Sequence, residues 1–322
     1  MKEHSTRLAL IRLLADGHFH SGEKLGLALG MSRAGIAKQI KIIQQWGLDL
    51  YSVQGKGYCL AAPIELLDSQ RIAKLVSCPQ LELIPVIDST NQYLLNQIDQ
   101  LPSGAVCLAE YQQAGRGRRG RQWQSPFGSN LYLSTYWRLE AGVAAAMGLS
   151  LVVGVAIAEA LQQLGAPDIR VKWPNDLYYH DQKLAGILVE MTGKAGDAAH
   201  LVIGIGLNIA MPTAATTMID QAWTNLSAAC SPLPSRNVLA ATLIDRIHQT
   251  LAEYENIGLS GFVERWNKID NFLNRPVKLL IGDRVIEGIA RGINEQGALL
   301  LENDNDNDIT AYVGGEISLR GC

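Results

Sequence analysis

Residues 141–158, AGVAAAMGLSLVVGVAIA, run without a single charged side chain. A stretch of that kind must leave water, either across a bilayer or inside a protein core. It is built on Ala and Gly rather than Leu and runs straight into Glu159, so it reads as a helix buried in a folded core, with no membrane association. Something must cover it, and the flanking sequence supplies strands. NLYLSTYW before it alternates, and IRVKW, LYY, KLAGILVEM and HLVIGIGLNIA follow the helix, joined by the turns PND, HDQ and TGKAGDA. Upstream, LELIPVI and AVCLAEY read as two further strands and DSTNQYLLNQI as a capped helix. Successive strands with short connections imply a mostly antiparallel sheet with helices on one face, an α+β arrangement.

The first sixty residues have a different pattern. They carry a net charge of +4 in a chain whose total is -3, so a basic head sits on an acidic body. Such an asymmetry directs only the head toward a polyanion. STRLALIRLLADG reads as a helix capped by Ser5 or Thr6, with Leu8, Ile11 and Leu14 inward. SGEKLGLALG is a second helix, capped by Ser21 and stopped at Gly30. In MSRAGIAKQIKIIQQWG, Ser32 caps a third helix whose inward stripe is Ile36, Ile40, Ile43 and Trp46. Its outer face carries Arg33, Lys38, Lys41 and Gln45. Two short helices with a Gly-containing turn and a basic outer face form a helix-turn-helix, whose recognition helix enters the major groove N-terminus first. LDLYSVQGKGYCL then supplies a two-stranded wing with Lys56 at its tip. The candidate DNA contacts are Ser21, Ser32, Arg33, Ala34, Lys38, Lys41 and Lys56. The alternative is a helical interaction domain with a solvated basic face. Pro63 and PIELLDSQ mark a linker to the body.

Several classes fall away. The five cysteines are scattered with no C-x-x-C pair, which argues against a zinc cage or a disulfide framework and fits a reducing cytoplasm. Arg7 and Arg12 break the N-terminal apolar residues, so no signal peptide is read there. P-loop, dinucleotide fingerprint, Ser-His-Asp and Cys-His sets are all lacking, and His180 and His200 flank turns as surface histidines.

The body instead concentrates cations and glycines at its turns. GRGRRGRQW packs Arg116, Arg118, Arg119 and Arg121 between Gly115, Gly117 and Gly120 and ends on Trp123. Glycines allow a backbone to approach a ligand, and guanidinium forks match phosphate and carboxylate oxygens. A solvated basic loop or a nucleic-acid segment is the competing reading. VKWPND places Lys172 at a strand end and Asn175 and Asp176 in a turn; QKLAG presents Lys183 beside small residues; GIGLNIA aligns Gly204, Gly206 and Asn208. Together these describe a pocket of fixed positive charge, with a carboxylate for a metal and glycine-lined walls. That pocket suits phosphoryl or nucleotidyl chemistry.

In order along the chain, DSTNQ, EYQQAGRGRRGRQW, VKWPND, KLAGILVE and IGIGLNI resemble the motifs of biotin protein ligases. With the winged head, the resemblance extends over essentially the whole chain to the bifunctional ligase–repressor type. It implies a winged helix-turn-helix domain over 1–62, a class II synthetase-like biotin/lipoate ligase fold over 63–270, and an SH3-like β-barrel over 271–322. It also implies a two-step reaction. Biotin and Mg-ATP give biotinyl-5′-AMP, and the acyl group then passes to a lysine of a biotin carboxyl carrier protein. The adenylate would act as corepressor, promoting a homodimer through sheet-edge pairing around Gly186 to Glu190, so that two heads reach operator DNA.

By position, the resemblance implies that Ser89, Thr90, Asn91, Gln112, Arg116 and Gly117 line the biotin pocket, with Gly186 and Gly204 as its wall. Arg118 and Lys183 would hold the biotin carboxylate and α-phosphate, and Asp176 would bind Mg²⁺ or assist deprotonation of the incoming lysine. Arg121, Trp123, Lys172, Asn175, Asn208 and Trp223 would serve the nucleotide, joined by Glu316 and Arg320 for nucleotide or carrier engagement. ENDNDNDIT departs from the family pattern by its length and acidity and is read as an exposed turn. Two other functions fit part of the pattern: a ligand-sensing repressor with an inactive ligase core, and a lipoate or octanoate ligase.

Overall fold

The structure is a computed structural model that describes residues 4–194, 196–212, 219, 221–303, 308–314 and 317–321. The acidic stretch 304–307 and Glu316 lie outside the described residues.

The head begins with α1 (Ser5–Leu14), α2 (Gly22–Leu29) and α3 (Arg33–Gln45). Ser21 and Ser32 cap the second and third helices as expected, accepting hydrogen bonds from the Lys24 and Gly35 amides. The first helix differs: Ser5 is its first helical residue, and His4 occupies the cap position without a capping hydrogen bond. Leu10 joins Ile11 and Leu14 in its fully buried stripe, and Leu8 packs partly buried against the same cluster. Ile36, Ile40, Ile43 and Trp46 are buried as the 3.6-residue period requires. The wing is β1 (Leu50–Val53) paired with β2 (Gly57–Leu60). Tyr58 also exchanges both backbone hydrogen bonds with His20, and a Cβ at Gly57 would stand 2.1 Å from the His20 carbonyl oxygen. Glycine is therefore required where the wing closes on the helical part.

The linker is not slack. Leu67 is buried, and its amide donates to Glu110 Oε1 at 2.5 Å. The Glu65 carboxylate accepts from Ser235, the Arg236 amide and Asn237. The body then follows with α4 (Ser69–Ala73), β3 (Leu81–Leu83), β4 (Val86–Ile87), α5 (Thr90–Leu95), β5 (Val106–Ala109), β6 (Tyr111–Gln112) and β7 (Asn130–Leu139). LELIPVI, expected as one strand, breaks at Pro85 into two, because a proline cannot donate to a continuing ladder. The two pieces enter different sheets: β3 pairs with β5, while β4 pairs with β6.

The apolar run 141–158 divides as well. Gly148, at φ +81°, caps α6 (Leu149–Gln163), and the residues before it form a turn and a short 3₁₀ segment in which Val143 and Met147 are exposed. The helix itself is buried on nearly every side, between the sheet and the long helix Arg236–Ile257. Full burial of each Val, Leu or Ile side chain is worth roughly 1.5–3 kcal/mol relative to exposure. No described helix is long and apolar enough to cross a membrane.

Next come β8 (Arg170–Lys172), β9 (Asp176–Tyr179), β10 (Gln182–Thr192), β11 (Ala199–Asn208), α7 (Leu226–Ala229), α8 (Arg236–Ile257) and α9 (Val263–Lys268). The main sheet has the order β3-β5-β7-β11-β10-β9-β8, antiparallel except for β3–β5. Alternation sorts its faces. Leu201, Ile203, Ile205 and Leu207 join the core beneath α6 and α8, while Val202, Gly204, Gly206 and Asn208 face the other way. Helices were expected on one face only. Instead α5 covers part of the second face, packing Leu94 with Ala105, Cys107, Tyr136 and Val202.

The chain ends in an antiparallel sheet of order β15-β14-β13-β12-β16, from β12 (Pro276–Ile281), β13 (Arg284–Ile293), β14 (Leu299–Glu302), β15 (Ile309–Tyr312) and β16 (Ile317–Gly321).

Head and body share packing. The Trp46 ring lies against Tyr111 and Phe127 at centroid separations of 5.6 and 5.8 Å, and the Phe127 amide donates to the Trp46 carbonyl.

Candidate active site

The glycine face of the sheet forms the floor of the site. Gly186 of β10 stands directly across from Gly206 of β11, and Gly204 lies two residues along. A Cβ at Gly206 would fall 2.3 Å from the Trp123 indole, and one at Gly204 would fall 2.1 Å from Asn91 Oδ1. The glycines are thus the space into which two side chains from other elements descend.

The arginine loop is ordered as a small hairpin over that floor. The Trp123 amide donates to Gly115 O at 2.9 Å and the Gly117 amide to Arg121 O at 2.7 Å. Arg119 and Gly120 turn the chain at φ +59° and +69°. The arginines therefore diverge to separate partners. Arg116 reaches Glu190 Oε2 at 2.6 Å and Gln92 at 3.0 Å, Arg118 donates to Asn175 Oδ1 at 3.0 Å, and Arg119 donates to Ser318 of β16 at 3.1 Å.

Lys183 reaches the same face through an irregularity. The β9–β10 register shifts between Lys183 and Ala185, a bulge that re-aims the side chain. Residues three apart on a regular strand point to opposite faces, yet Lys183 Nζ would lie 3.4 Å from a Cβ at Gly186. Its ammonium stands 2.7 Å from Asp176 Oδ1. The pair is off hydrogen-bond alignment, so Asp176 Oδ1 is buried with acceptor capacity still to be met. Asp176 itself opens β9 rather than sitting in the turn, which spans 173–175.

Lys172 is buried, donates to Tyr178 Oη at 2.9 Å and lies over that ring. Burial pulls its pKa down to about 8; Asp176 opposes the shift, while Arg320, Lys183 and Arg121 add to it. Burial likewise lowers Arg118, against the pull of Asp176.

One cavity is lined by Ser89, Thr90, Asn91, Gln112, Arg116, Gly117, Arg118, Arg121, Trp123, Lys172, Asn175, Asp176, Lys183, Gly186, Gly204 and Arg320. Sequence reasoning had named all of these. Arg119, legible only as part of the Gly-Arg run, also lines it, together with Gln122, Leu188 and Ser318, for which the sequence carries no site signal. Trp123, Arg121 and Lys183 also line a second cavity, where Asn208 and Trp223 lie with Met211. The expected nucleotide residues are therefore divided between two adjoining spaces. Trp223 is tied there by the backbone ladder between its neighbours and Lys183.

Several expected ligand residues already have structural tasks. Ser89 caps α5, and Asn91, only 4 % exposed, sits 2.6 Å from Ser134 Oγ and donates to Glu190 at 2.8 Å. Gln112 Oε1 accepts from the Thr90 amide, while its Nε2 donates to Ser125. In the head, Ser21 and Ser32 cap helices, and Ser32, Arg33, Ala34, Lys38, Lys41 and Lys56 are exposed. Among the described residues no cluster of three or more His, Cys, Asp or Glu could hold a metal. Asp176 supplies a single carboxylate, which matches the way Mg²⁺ is held by one or two carboxylates together with substrate phosphates.

A seven-stranded sheet with a cation-rich glycine trough, attached to a winged helix-turn-helix, fits a ligase domain carrying a DNA-binding head. The chain belongs to the biotin/lipoate A/B protein ligase family, which matches residues 83–208. The biotin protein ligase C-terminal domain matches 272–320, and a helix-turn-helix domain matches 6–59. The chain is 59% identical to the bifunctional ligase/repressor BirA of Salmonella typhimurium, over all of both chains. It is 57% identical to the protein of that name from Escherichia coli, over 100% of this chain and 99% of the relative. Among solved structures, the biotin protein ligase of Aquifex aeolicus in complex with biotin and ATP is similar at 28% identity and TM-score 0.65, covering 76% of this chain and 100% of that one.

Proposed function

We propose that this chain is an ATP-dependent biotin ligase that also represses transcription through its N-terminal head. The observation that carries the enzymatic half is the convergence of Lys183, Arg118, Lys172 and Asp176 around one glycine-floored cavity. In the first step a biotin carboxylate oxygen attacks the α-phosphorus of ATP and pyrophosphate leaves. Charge builds on phosphate oxygens, and preorganised cations in a site shielded from water stabilise it. Arg118 and Lys183 serve the carboxylate and α-phosphate, and Lys172, Arg121 and Arg320 face the remaining phosphates. Asn91, Thr90 and Gln112 present polar atoms to the biotin head group.

In the second step the neutral amine of a carrier-protein lysine attacks the acyl carbon of the mixed anhydride. The bond to AMP breaks, and the amine proton passes to a base, for which Asp176 is the candidate. Mg²⁺, where bound, adds charge neutralisation at the phosphates, with Asp176 as its protein ligand. Trp123 and the arginine hairpin exclude water from the anhydride.

The regulatory half follows from the head and from an open sheet edge. The ladder between β10 and β9 ends at Gly186, so Leu188 to Thr192 pair only with β11 among the described strands. An unpaired edge is a template for a second chain. Homodimerisation there, favoured by biotinyl-5′-AMP as corepressor, brings two heads to two operator half-sites. Ligand strengthens DNA binding only as far as it favours the dimer.

Biotin-dependent pyrophosphate exchange, run beside lipoate, tests the enzyme. Exchange with biotin alone supports the reading, and exchange with lipoate alone replaces it with a lipoate ligase. A gel shift with operator DNA whose affinity is indifferent to biotin and ATP removes the regulatory half.

A further inference from the structure

Glu190 does not line the cavity, yet one of its oxygens gathers two elements that do. Glu190 Oε2 accepts from Arg116 Nη2 at 2.6 Å and from Asn91 Nδ2 at 2.8 Å. Arg116 belongs to the arginine hairpin and Asn91 to α5, so a single carboxylate on β10 joins the roof of the site to its end wall. Gln92 occupies Arg116 Nη1, and Arg116 Nε is buried without a protein partner. The Arg116 fork is thus held by its outer nitrogens, while the inner one is buried without a protein partner.

We propose that Glu190 is a positioning residue, a latch that holds the arginine hairpin closed over the acyl-adenylate and orients Arg116 and Asn91 toward it. The ligand named here rests on the proposed biotin ligase function; the latch itself rests on the contacts of Glu190. Charge-assisted bonds from a guanidinium to a carboxylate are directional and stronger than neutral ones. Arg116 and Glu190 are about one third exposed, at 33% and 28%, so solvent screening limits what the pair contributes. That places its effect on hairpin opening rather than on folding. A glutamine at 190 keeps an acceptor for Asn91 while losing the charge that binds Arg116. An aspartate keeps the charge on a stem one methylene shorter.

The test has one arm that needs no ligand. Limited trypsin digestion of the ligand-free protein reports hairpin opening through cleavage after Arg118, Arg119 and Arg121. We expect Glu190→Gln and Glu190→Asp to speed that cleavage by about twofold to fivefold, as loss of one partly exposed charged pair implies. The second arm follows release of biotinyl-5′-AMP after single-turnover synthesis. Release should accelerate by a similar factor while the synthesis rate stays within about twofold. Arg116→Met should reproduce the faster cleavage, and the double variant should cleave no faster than the more affected single, because coupled residues are not additive. A role confined to stability would lower Tm without changing the release-to-synthesis ratio, and would overturn the proposal. Wild-type cleavage by Glu190→Gln would overturn it as well. Failure of the wild-type protein to make any adenylate would instead remove the proposed ligase function, and the trypsin arm would still decide whether Glu190 latches the hairpin.

Discussion

Lys183 Nζ and Asp176 Oδ1 lie 2.7 Å apart, each side chain about 15 % exposed, across a bulged strand pair. Neither group is free to act alone. The ammonium offsets the cost of burying the carboxylate, and the carboxylate keeps the ammonium from being repelled by Lys172 and Arg118. Removing Lys183 therefore takes away a cation at the developing phosphate charge and also strands an anion. Lys183→Ala should lower the rate of adenylate formation by ~10²–10³-fold, the range for loss of one preorganised electrostatic donor. Rapid-quench measurement of biotinyl-5′-AMP checks it, and a rate within about threefold of wild type would remove Lys183 from the chemistry.

Gly204 predicts a different kind of defect. A Cβ there would stand 2.1 Å from Asn91 Oδ1, so Gly204→Ala must push Asn91 away from Ser134 and Glu190. Overpacking of this sort costs ~1–3 kcal/mol. Because Asn91 lies at the proposed biotin end of the cavity, the Michaelis constant for biotin should rise about tenfold or more, with that for ATP little changed. Steady-state exchange kinetics for the two substrates separate these effects.

The head should be separable from the body by salt. Lys38 is exposed on the outer face of α3 and has no contact with the cavity. Lys38→Ala should weaken operator binding and lower the slope of log affinity against log salt by about one phosphate contact. Biotin transfer to the carrier should be unchanged. A salt slope identical to wild type would place Lys38 off the DNA.

Asp270 gives the protein a pH-dependent stability. It is buried between α9 and the C-terminal sheet, where burial raises its pKa to about 7 against the pull of the Phe272 amide and Arg275. The folded state thus holds this proton more tightly than the unfolded chain does. Stability should fall as pH rises from about 4 to about 7, and the whole penalty should stand above that window. Asp270→Asn keeps an acceptor for the Phe272 amide and removes the charge. It should stabilise the protein by ~1–3 kcal/mol at pH 8 and have little effect at pH 4. Chemical denaturation at the two pH values checks the sign, and an equal effect at both would refute it.

Much of the site could be read from the chain because its signals are local. Gly204, Gly206 and Asn208 alternate along one strand, and the period of two placed them on one face. The Gly-Arg run advertises a tight loop, and Ser21 and Ser32 advertise helix starts, as their backbone bonds depend on residues two or three positions away. The start of the first helix is less legible, because Ser5 and Thr6 compete as caps within one turn and neither caps it. LELIPVI and the apolar run 141–158 each divided at a Pro or a Gly, where local conformation overrode hydrophobic pattern.

Glu190, Glu110 and Arg236 carry no such signal. Arg236 begins α8, where a cation opposes the helix dipole, yet it is buried against Glu110 at 2.8 Å and donates to the carbonyls of Glu65 and Asn130. Its partners lie more than a hundred residues away, and only the folded chain brings them together. The same holds for Trp123, whose indole fills the space that Gly186 and Gly206 leave, and for Lys183, which a bulge turns toward the cavity. Local pattern along the chain sets which strand face or helix start a residue occupies, since those depend on short-range backbone geometry. Tertiary structure decided which of them meet, because pairing a buried charge and filling a glycine trough are satisfied only by groups from distant elements.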